Sequence, residues 1–376
     1  MRKRVLWIYL EVKKKLRLSA VSANRFVNLP FINLRRQELN EFVMQKFFTC
    51  CLTGFVVLLT AGFAAGQPAP GLQLLEVQKI WDQAPHNAFT DLIRFNNRWF
   101  CVFREGEDHV SPDGALRVIT SKNGKQWESA ALITATDMDL RDAKITPTPE
   151  GQLMLSGAGA LHDKSVNTHQ SLAWFSENGY SWSDSNPIGD RDFWLWRTTW
   201  HNGKAYSMGY GCNNQRLLRL YESNNGKHFK TLVEDLGITG YPNETAMVFS
   251  GDTAFCLLRR DGDEKSGLLG ISLPPYTSWL WKDLETRIGG PQLIQLPDGR
   301  LLAAVRLYGS DNWHPARTSL CWVDAREGTI TEALELPSGG DTSYPGMVFY
   351  EGVVWVSYYS SHEEKTSVYL AKVKID

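Results

Sequence analysis

Charged and phenolic side chains recur at matched places in this 376-residue chain, and their types suit acid–base and nucleophilic chemistry. Arg104, Arg259 and Arg306 each follow a short polar turn by seven or eight residues. Glu244 and Tyr344 precede such a turn by seven or eight residues. Charged side chains are rarely buried unless they are paired or functional. These positions predict a polar, cation-rich site for a small anionic ligand, and structural salt bridges are the alternative.

The turns that define these positions recur about every fifty residues. Each copy is a tight polar turn followed by apolar and small residues, and successive copies are 54, 52, 48, 48 and 53 residues apart. The six copies are centred on Asn97, Gly151, Gly203, Gly251, Gly299 and Gly352. A period near fifty, made of turns and short strands, is typical of a closed β-array. We predict an all-β, six-bladed β-propeller with its site at the mouth of the central channel.

The repeat divides the chain into blades at about 86–130, 140–185, 190–235, 240–284, 288–335 and 340–376. Leu72–Trp81 is an additional apolar segment ahead of the first blade. We predict that this segment is a strand that completes the last blade and closes the ring. Closure removes the exposed sheet edges that otherwise promote aggregation.

The chain preceding the propeller has the layout of a secretory leader. Residues 44–66 contain a lysine, an apolar core and then small residues, which predicts a signal peptide rather than a stable membrane span. Residues 1–43 are interpreted as an extension from a start codon placed too early, and a disordered basic extension is the alternative. The domain prediction is therefore an extension (1–43), a signal peptide (44–66) and a propeller (72–376). The expected location is secreted or periplasmic.

Charge and cysteine usage exclude several function classes. Residues 1–66 hold 11 Lys and Arg against 3 Asp and Glu, which leaves 29 against 38, a net charge of −9, in the remainder. An acidic mature domain argues against nucleic acid and anionic membrane surfaces as partners. The remaining cysteines lack metal-ligand spacing and are predicted to be small buried strand residues: Cys101, Cys212, Cys256 and Cys321.

Three blades share the motif Ser-x-Asn-Gly-x-x-aromatic. It occurs at 121–127, 176–182 and 223–229. Asn-Gly supplies the positive φ of a tight turn, and the Asn side chain can cap that turn. The motif resembles the Asp-box of the sialidase superfamily, with Asn in place of the usual Asp. Three copies at blade spacing indicate a sialidase-like propeller and carry no catalytic role.

Segments at the predicted site resemble the same superfamily over about residues 75–376. Pro242-Asn243-Glu244 followed by Arg259 is similar to the sialidase glutamate and one arginine of the carboxylate-binding triad. The segment that begins at Arg317 resembles another triad arginine. Residues 340–346 resemble the segment that holds the nucleophilic tyrosine, which is Tyr344 here. The order Glu, Arg, Arg, Tyr is that of the superfamily.

The loop after the first blade's second strand resembles the sialidase acid–base loop. The resemblance assigns the acid–base role to Asp113, with His109 as a second candidate and Asp108 as a substrate contact. Residues 86–92 contain no counterpart of the superfamily's first arginine, and Arg104 or Arg306 is the candidate substitute. Trp196 is a candidate for stacking on a sugar ring. On the second blade's entry strand, Arg141, Asp142 and Lys144 suit either the site or a strand-end ion pair.

The resemblance implies an exo-acting glycoside hydrolase that removes a terminal acidic sugar from a glycan with retention. A substrate carboxylate at the anomeric carbon repels a carboxylate nucleophile, so a neutral phenol such as Tyr344 is preferred, with Glu244 taking its proton. Arg259 and Arg317 would grip the substrate carboxylate. No metal or organic cofactor is predicted. The alternatives are a non-catalytic carbohydrate-binding propeller and a propeller enzyme acting on a different acidic sugar.

Overall fold

A computed structural model describes residues 71–309 and 316–376, which form 24 β-strands in six four-stranded antiparallel sheets. The predicted extension (1–43) and signal peptide (44–66) lie outside the described residues. Within the described part there is no helix, and hence none long and apolar enough to cross a bilayer. The all-β six-bladed propeller is confirmed.

The sheets follow the predicted repeat. The first blade contains β2 (His86–Phe95), β3 (Arg98–Gly106), β4 (Ala115–Ser121) and β5 (Glu128–Ile133). The second contains β6 (Met138–Pro147), β7 (Leu153–Leu161), β8 (His169–Ser176) and β9 (Asn186–Ile188). The third contains β10 (Phe193–His201), β11 (Lys204–Gly211), β12 (Leu218–Ser223) and β13 (Lys230–Val233). The fourth contains β14 (Tyr241–Ser250), β15 (Thr253–Asp261), β16 (Leu268–Ser272) and β17 (Trp279–Asp283). The fifth contains β18 (Ile288–Gln295), β19 (Leu301–Leu307), β20 (Arg317–Asp324) and β21 (Thr329–Glu335). The sixth contains β22 (Thr342–Tyr350), β23 (Val353–Ser360), β24 (Ser367–Ile375) and β1 (Leu72–Trp81).

The first strand of the described chain closes the ring, as predicted. β1 pairs antiparallel with β24, so the sixth blade joins both ends of the propeller. The innermost strands contact one another in the order β2, β6, β10, β14, β18 and β22, and β22 contacts β2. Stacked indole rings of Trp99 and Trp355, 4.3 Å apart, pack the first blade against the sixth. All four cysteines of the described part are buried and unpaired, as expected of small packing residues.

The three Ser-x-Asn-Gly segments share one hydrogen-bond pattern. In the first, Ser121 Oγ accepts from the Gly124 amide at 2.9 Å, and Asn123 Oδ1 accepts from the Lys125 amide at 2.9 Å. The second and third copies repeat both bonds. Gly124 has a φ of +70°, which glycine adopts at little cost. The predicted capped turns therefore form, at the outer part of their blades.

Every innermost strand carries one extra residue at the same height. In β22 the register advances from Ser343 to Gly346 while β23 advances only from Tyr359 to Ser357. The other five innermost strands have the same bulge. A β-bulge redirects the side chains it carries and is common beside functional sites. The first residues of the six bulges are Phe89, Asp142, Trp196, Asn243, Gly290 and Tyr344.

Candidate active site

The bulge residues meet around Tyr344. The Phe89 ring lies 5.1 Å from the Tyr344 ring and the Trp196 ring 5.7 Å from it. Gly290 approaches so closely that an added Cβ would lie 2.9 Å from the Tyr344 ring. Glycine is thus required there by space, and it adopts the φ of +52° at little cost. The predicted aromatic contact, Trp196, is part of this cluster.

The backbone at Tyr344 is held in an unusual conformation. Tyr344 has a φ of +49° and Phe89 one of +64°, a region that bulky residues rarely occupy and that costs about 1–3 kcal/mol each. Two hydrogen bonds fasten the bulge: Thr90 Oγ1 donates to the Tyr344 carbonyl at 2.9 Å, and Arg197 Nη2 donates to the Pro345 carbonyl at 2.7 Å. The surrounding blades therefore impose the direction in which the phenol points.

Tyr344, Glu244 and Arg259 form a hydrogen-bonded triangle. The Tyr344 hydroxyl donates to Glu244 Oε1, and Arg259 Nη1 donates to the same carboxylate oxygen at 2.8 Å and to the phenol oxygen at 3.1 Å. The Gly290 amide holds the other oxygen, Glu244 Oε2, at 2.7 Å. Glu244 and Tyr344 are both buried. The structure thus brings together three of the residues predicted from the sequence.

Burial, followed by the charge of Glu244, raises the pKa of Tyr344 well above its ordinary value, while Arg259 and Arg306 oppose that rise. The Arg306 guanidinium carbon lies 5.2 Å from the Tyr344 ring centre. A neutral phenol beside a carboxylate acceptor is the arrangement in which a base can take the proton as the oxygen attacks. The triangle can therefore deliver an activated phenol oxygen to a bound molecule.

Arg306 and His109 meet at a second carboxylate, Asp341. Arg306 Nη2 donates to Asp341 Oδ1 at 3.2 Å and to the Tyr359 hydroxyl at 2.9 Å. On the other oxygen, His109 Nδ1 lies 2.6 Å from Asp341 Oδ2. This cluster adjoins the triangle because the Phe89 ring lies 5.0 Å from the His109 ring. Two more predicted residues, Arg306 and His109, thus reach the rim of the site.

Arg104 is placed differently from the prediction. Its side chain is 0% exposed, and its Nε donates to Asp139 Oδ1 at 2.9 Å. Its remaining donors hold the acid–base loop, through the Asp108 carbonyl at 2.8 Å and Ser111 Oγ at 2.9 Å. All three guanidinium nitrogens of Arg104 donate to groups inside the protein, and the side chain is fully buried. Arg104 is therefore placed as a loop anchor and is not exposed to a substrate.

Asp108 and Asp113 both accept hydrogen bonds from backbone amides of the same loop. Asp108 Oδ1 accepts from the His109 amide at 2.7 Å, and Asp113 accepts from the Glu107 amide at 3.1 and 3.2 Å. A hydrogen bond with Ser111 is the largest effect that lowers the pKa of Asp113 below its ordinary value, which favours the ionised form. An exposed, ionised carboxylate cannot donate a proton at neutral pH. The geometry gives Asp113 a turn-forming role.

Arg317 lies away from Tyr344. It begins β20, the third strand of its blade, and its Nε and Nη2 form a two-pronged pair with Glu332 of β21 at 2.8 and 2.6 Å. This pair occupies the outer part of the blade, whereas Arg306 on β19 reaches the rim. The arginine of the fifth blade that stands at the site is therefore Arg306.

Asp142 is a stronger candidate for the site in the structure than in the sequence. It occupies the bulge position of blade two that Tyr344 occupies in blade six, with a φ of +53°. Its carboxylate is buried, and Oδ1 has no hydrogen-bond partner among the described residues. Burial raises its pKa, against the opposing charges of Lys144 and Arg141. The ion-pair interpretation from the sequence does not account for an unpartnered oxygen. The signal that could have identified it is its place in the blade alignment, two residues before Lys144.

Solved structures share this fold at low sequence identity. A protein of unknown function from Dyadobacter fermentans superposes with a TM-score of 0.72 and 18% identity, over 82% of this chain and 100% of that one. A Trypanosoma rangeli sialidase gives 0.64 and 12%, over 81% of this chain and 60% of that longer one. A Penicillium chrysogenum alpha-L-arabinanase complexed with arabinobiose gives 0.60 and 14%, over 79% and 98%. No family model matches the chain, and no curated protein matches its sequence. The fold is therefore one that glycoside hydrolases use.

Proposed function

We propose that this protein is an exo-acting, retaining glycoside hydrolase that uses Tyr344 as its nucleophile. The observation that carries the proposal is the buried triangle of Tyr344, Glu244 and Arg259. Tyr344 Oη attacks the anomeric carbon while its proton passes to Glu244 Oε1, and the bond to the leaving oxygen breaks. Water then releases the sugar from the phenol oxygen, which recovers its proton from Glu244.

Asp142 is our candidate for the acid and base of this reaction. It is protonated to a higher pH than an ordinary aspartate because burial disfavours its charge. A protonated carboxyl can donate to the leaving oxygen and, once ionised, can take a proton from the attacking water. Asp142 and Tyr344 occupy the same bulge position in their blades, and the innermost strands that carry them, β6 and β22, both contact β2. Asp142 replaces Asp113 in the proposed mechanism.

A terminal acidic sugar, sialic acid or a similar one, is the proposed substrate. Arg259 and Arg306 both approach Tyr344, and guanidinium groups suit carboxylate ligands. A neutral furanoside is the second candidate, because Glu244 and Asp341 already pair with these two cations. The arabinanase that shares the fold was solved in complex with arabinobiose. We further propose that the enzyme is exported to the periplasm or the medium.

A panel of fluorogenic glycosides tests the proposal. It contains α-sialosides, hexuronosides and α-L-arabinofuranosides, and NMR follows the configuration of the first-formed sugar. Turnover of an acidic glycoside with retention supports the proposal, and turnover of only the arabinofuranoside transfers it to the second candidate. Inversion contradicts a covalent tyrosine intermediate. Binding on a glycan array without turnover of any glycoside identifies a non-catalytic carbohydrate-binding propeller.

Asp142→Asn is expected to slow the preferred substrate by about 10²–10⁴-fold, the usual contribution of a general acid–base group. The same change is expected to stabilise the fold at pH 7. Burial raises the pKa of Asp142 in the folded state. The stability that Asp142 contributes is therefore fully present below its unfolded pKa of about 3.9, and it is lost as pH rises through the folded-state pKa. Asparagine cannot ionise and avoids that loss. Thermal unfolding at pH 3.5 and pH 7, together with kcat/KM, measures both effects.

Asp113→Asn is the matched control for this prediction. The pKa of Asp113 is lowered, so this substitution has the opposite sign and slightly destabilises the protein at pH 7. Activity should stay within a few-fold of wild type. If instead Asp113→Asn removes activity and Asp142→Asn retains it, the acid–base assignment returns to the residue indicated by the sequence.

A further inference from the structure

Two imidazoles and one carboxylate converge beside the candidate active site. His109 Nδ1 lies 2.6 Å and His86 Nε2 lies 3.3 Å from the same oxygen, Asp341 Oδ2. One potential ligand atom from each residue lies within 4.8 Å of the others. Two histidines and one carboxylate form a known ligand set for first-row divalent metals. The three residues are called the rim cluster below.

The two separations that involve Asp341 suit a metal ion. Ligand atoms about 2.0–2.2 Å from a tetrahedral zinc ion lie roughly 3.3 Å from one another. The contact of His86 with Asp341 already has this length, and that of His109 is shorter by less than 1 Å. The His109 side chain is 43% exposed and lies on a loop, so its imidazole can move outward by that amount.

Hydrogen bonds orient the ligand residues from behind. The Tyr359 hydroxyl donates to Asp341 Oδ1 at 2.7 Å, and Arg306 approaches that oxygen too, so Oδ2 alone faces the imidazoles. A single histidine–aspartate hydrogen bond would not require both imidazoles to contact the same carboxylate oxygen. Such outer contacts commonly orient metal ligands.

The loop that carries His109 is anchored toward the cluster. The fully buried Arg104 holds it at the Asp108 carbonyl and at Ser111. Arg141 Nη2 holds the His109 carbonyl at 3.1 Å. A loop of the first blade is thus fastened so that its histidine meets a carboxylate of the sixth. Arg104 and Arg141 thus both have a structural role in positioning this loop.

We propose that the rim cluster of His86, His109 and Asp341 binds one first-row divalent cation, with Zn²⁺ as the test ion. Three protein ligands leave at least one coordination position for water or for an oxygen of a bound molecule. Carboxylate and hydroxyl oxygens are the ligand class that such a position takes. The cluster is one aromatic ring, Phe89, away from Tyr344. The proposal concerns binding and does not depend on the reaction proposed above.

Titration calorimetry with ZnCl₂ on tag-free, EDTA-treated protein tests the proposal. We expect one site per chain in wild type, and a thermal unfolding midpoint that rises with added Zn²⁺. His109→Ala and Asp341→Asn should each weaken Zn²⁺ binding by at least about tenfold, since even indirect partners of metal ligands contribute that much. His109→Ala leaves the buried part of the fold intact because the side chain is on the loop.

His228→Ala is the matched control, because His228 is an exposed histidine in a turn of the third blade. It should bind Zn²⁺ as wild type does. Absence of a Zn²⁺ site in wild type overturns the proposal and leaves the rim cluster as a hydrogen-bonded group. Wild-type affinity in both His109→Ala and Asp341→Asn overturns it equally. Neither result bears on whether the protein hydrolyses a glycoside.

Discussion

Tyr344→Phe is expected to lower kcat/KM for the preferred glycoside by at least about 10⁴-fold, because it removes the proposed nucleophilic oxygen. The phenyl ring keeps its contacts with Phe89 and Trp196, and Glu244 keeps Arg259 and the Gly290 amide. The folded state should therefore persist. Steady-state kinetics on the glycoside panel and circular dichroism measure the two outcomes.

Tyr210→Phe is the matched control for the loss of a hydroxyl near the site. The Tyr210 ring lies 6.3 Å from Trp196. The described hydrogen bonds of the Glu244 carboxylate come from Tyr344, Arg259 and the Gly290 amide, and not from Tyr210. Activity within a few-fold of wild type is expected. A slow fluorinated substrate followed by peptide mass spectrometry should place the covalent sugar on Tyr344. A label on another side chain, or wild-type turnover in Tyr344→Phe, contradicts the nucleophile assignment.

Arg104→Met is expected to destabilise the fold by about 3–5 kcal/mol, the usual consequence of breaking a buried ion pair on one side. Asp139 would remain 7% exposed, and its remaining ion-pair partner among the described residues would be Arg141 at 3.8 Å. For a domain of this size we expect the thermal midpoint to fall by roughly 10 °C. Chemical and thermal unfolding measure the loss.

Arg98→Met on the same strand is the control. Arg98 pairs with Glu128, which is 66% exposed, so its loss should cost about 1 kcal/mol or less. Equal stability of the two variants contradicts the anchoring role of Arg104. A raised KM in Arg104→Met with unchanged stability identifies Arg104 as the substrate ligand that the sequence predicted.

Two of the four predicted arginines lie at the site and two do not. The sequence predicted four arginines for an anion, and the structure brings Arg259 and Arg306 to Tyr344 while Arg104 and Arg317 serve the scaffold. Both arginines at the site already contact carboxylates. A substrate anion would therefore share them with Glu244 and Asp341. For this reason the glycoside panel includes neutral sugars.

Periodicity determined the architecture from the sequence. Turn chemistry is local, since Asn and Gly adopt positive φ within a few residues, and its six-fold recurrence predicts six blades. The closing strand was also predictable, because one apolar segment remained after the six blades had been counted. The pairing of β1 with β24 confirms that prediction.

The aligned repeat predicted five ring neighbours, because equivalent blade positions meet in a closed ring: Arg104, Glu244, Arg259, Arg306 and Tyr344. The structure brings four of them together and buries Arg104 elsewhere. The repeat could not show the one-residue bulge in each innermost strand. A bulge reverses which side chains face the channel, and alternation in the sequence does not reveal where it occurs. Asp142 was underrated for this reason.

Only the tertiary structure decided the partners of the remaining residues. His86 and Asp341 are 255 residues apart, so no spacing in the sequence indicates that they share an oxygen contact with His109. Arg104 and Arg306 occupy equivalent repeat positions, yet Arg104 pairs with Asp139 in the interior whereas Arg306 pairs with Asp341 at the rim. Side-chain type and repeat position thus determined which residues could do chemistry. Long-range ion pairing, which depends on the packing of one blade against the next, decided which of them reach the site.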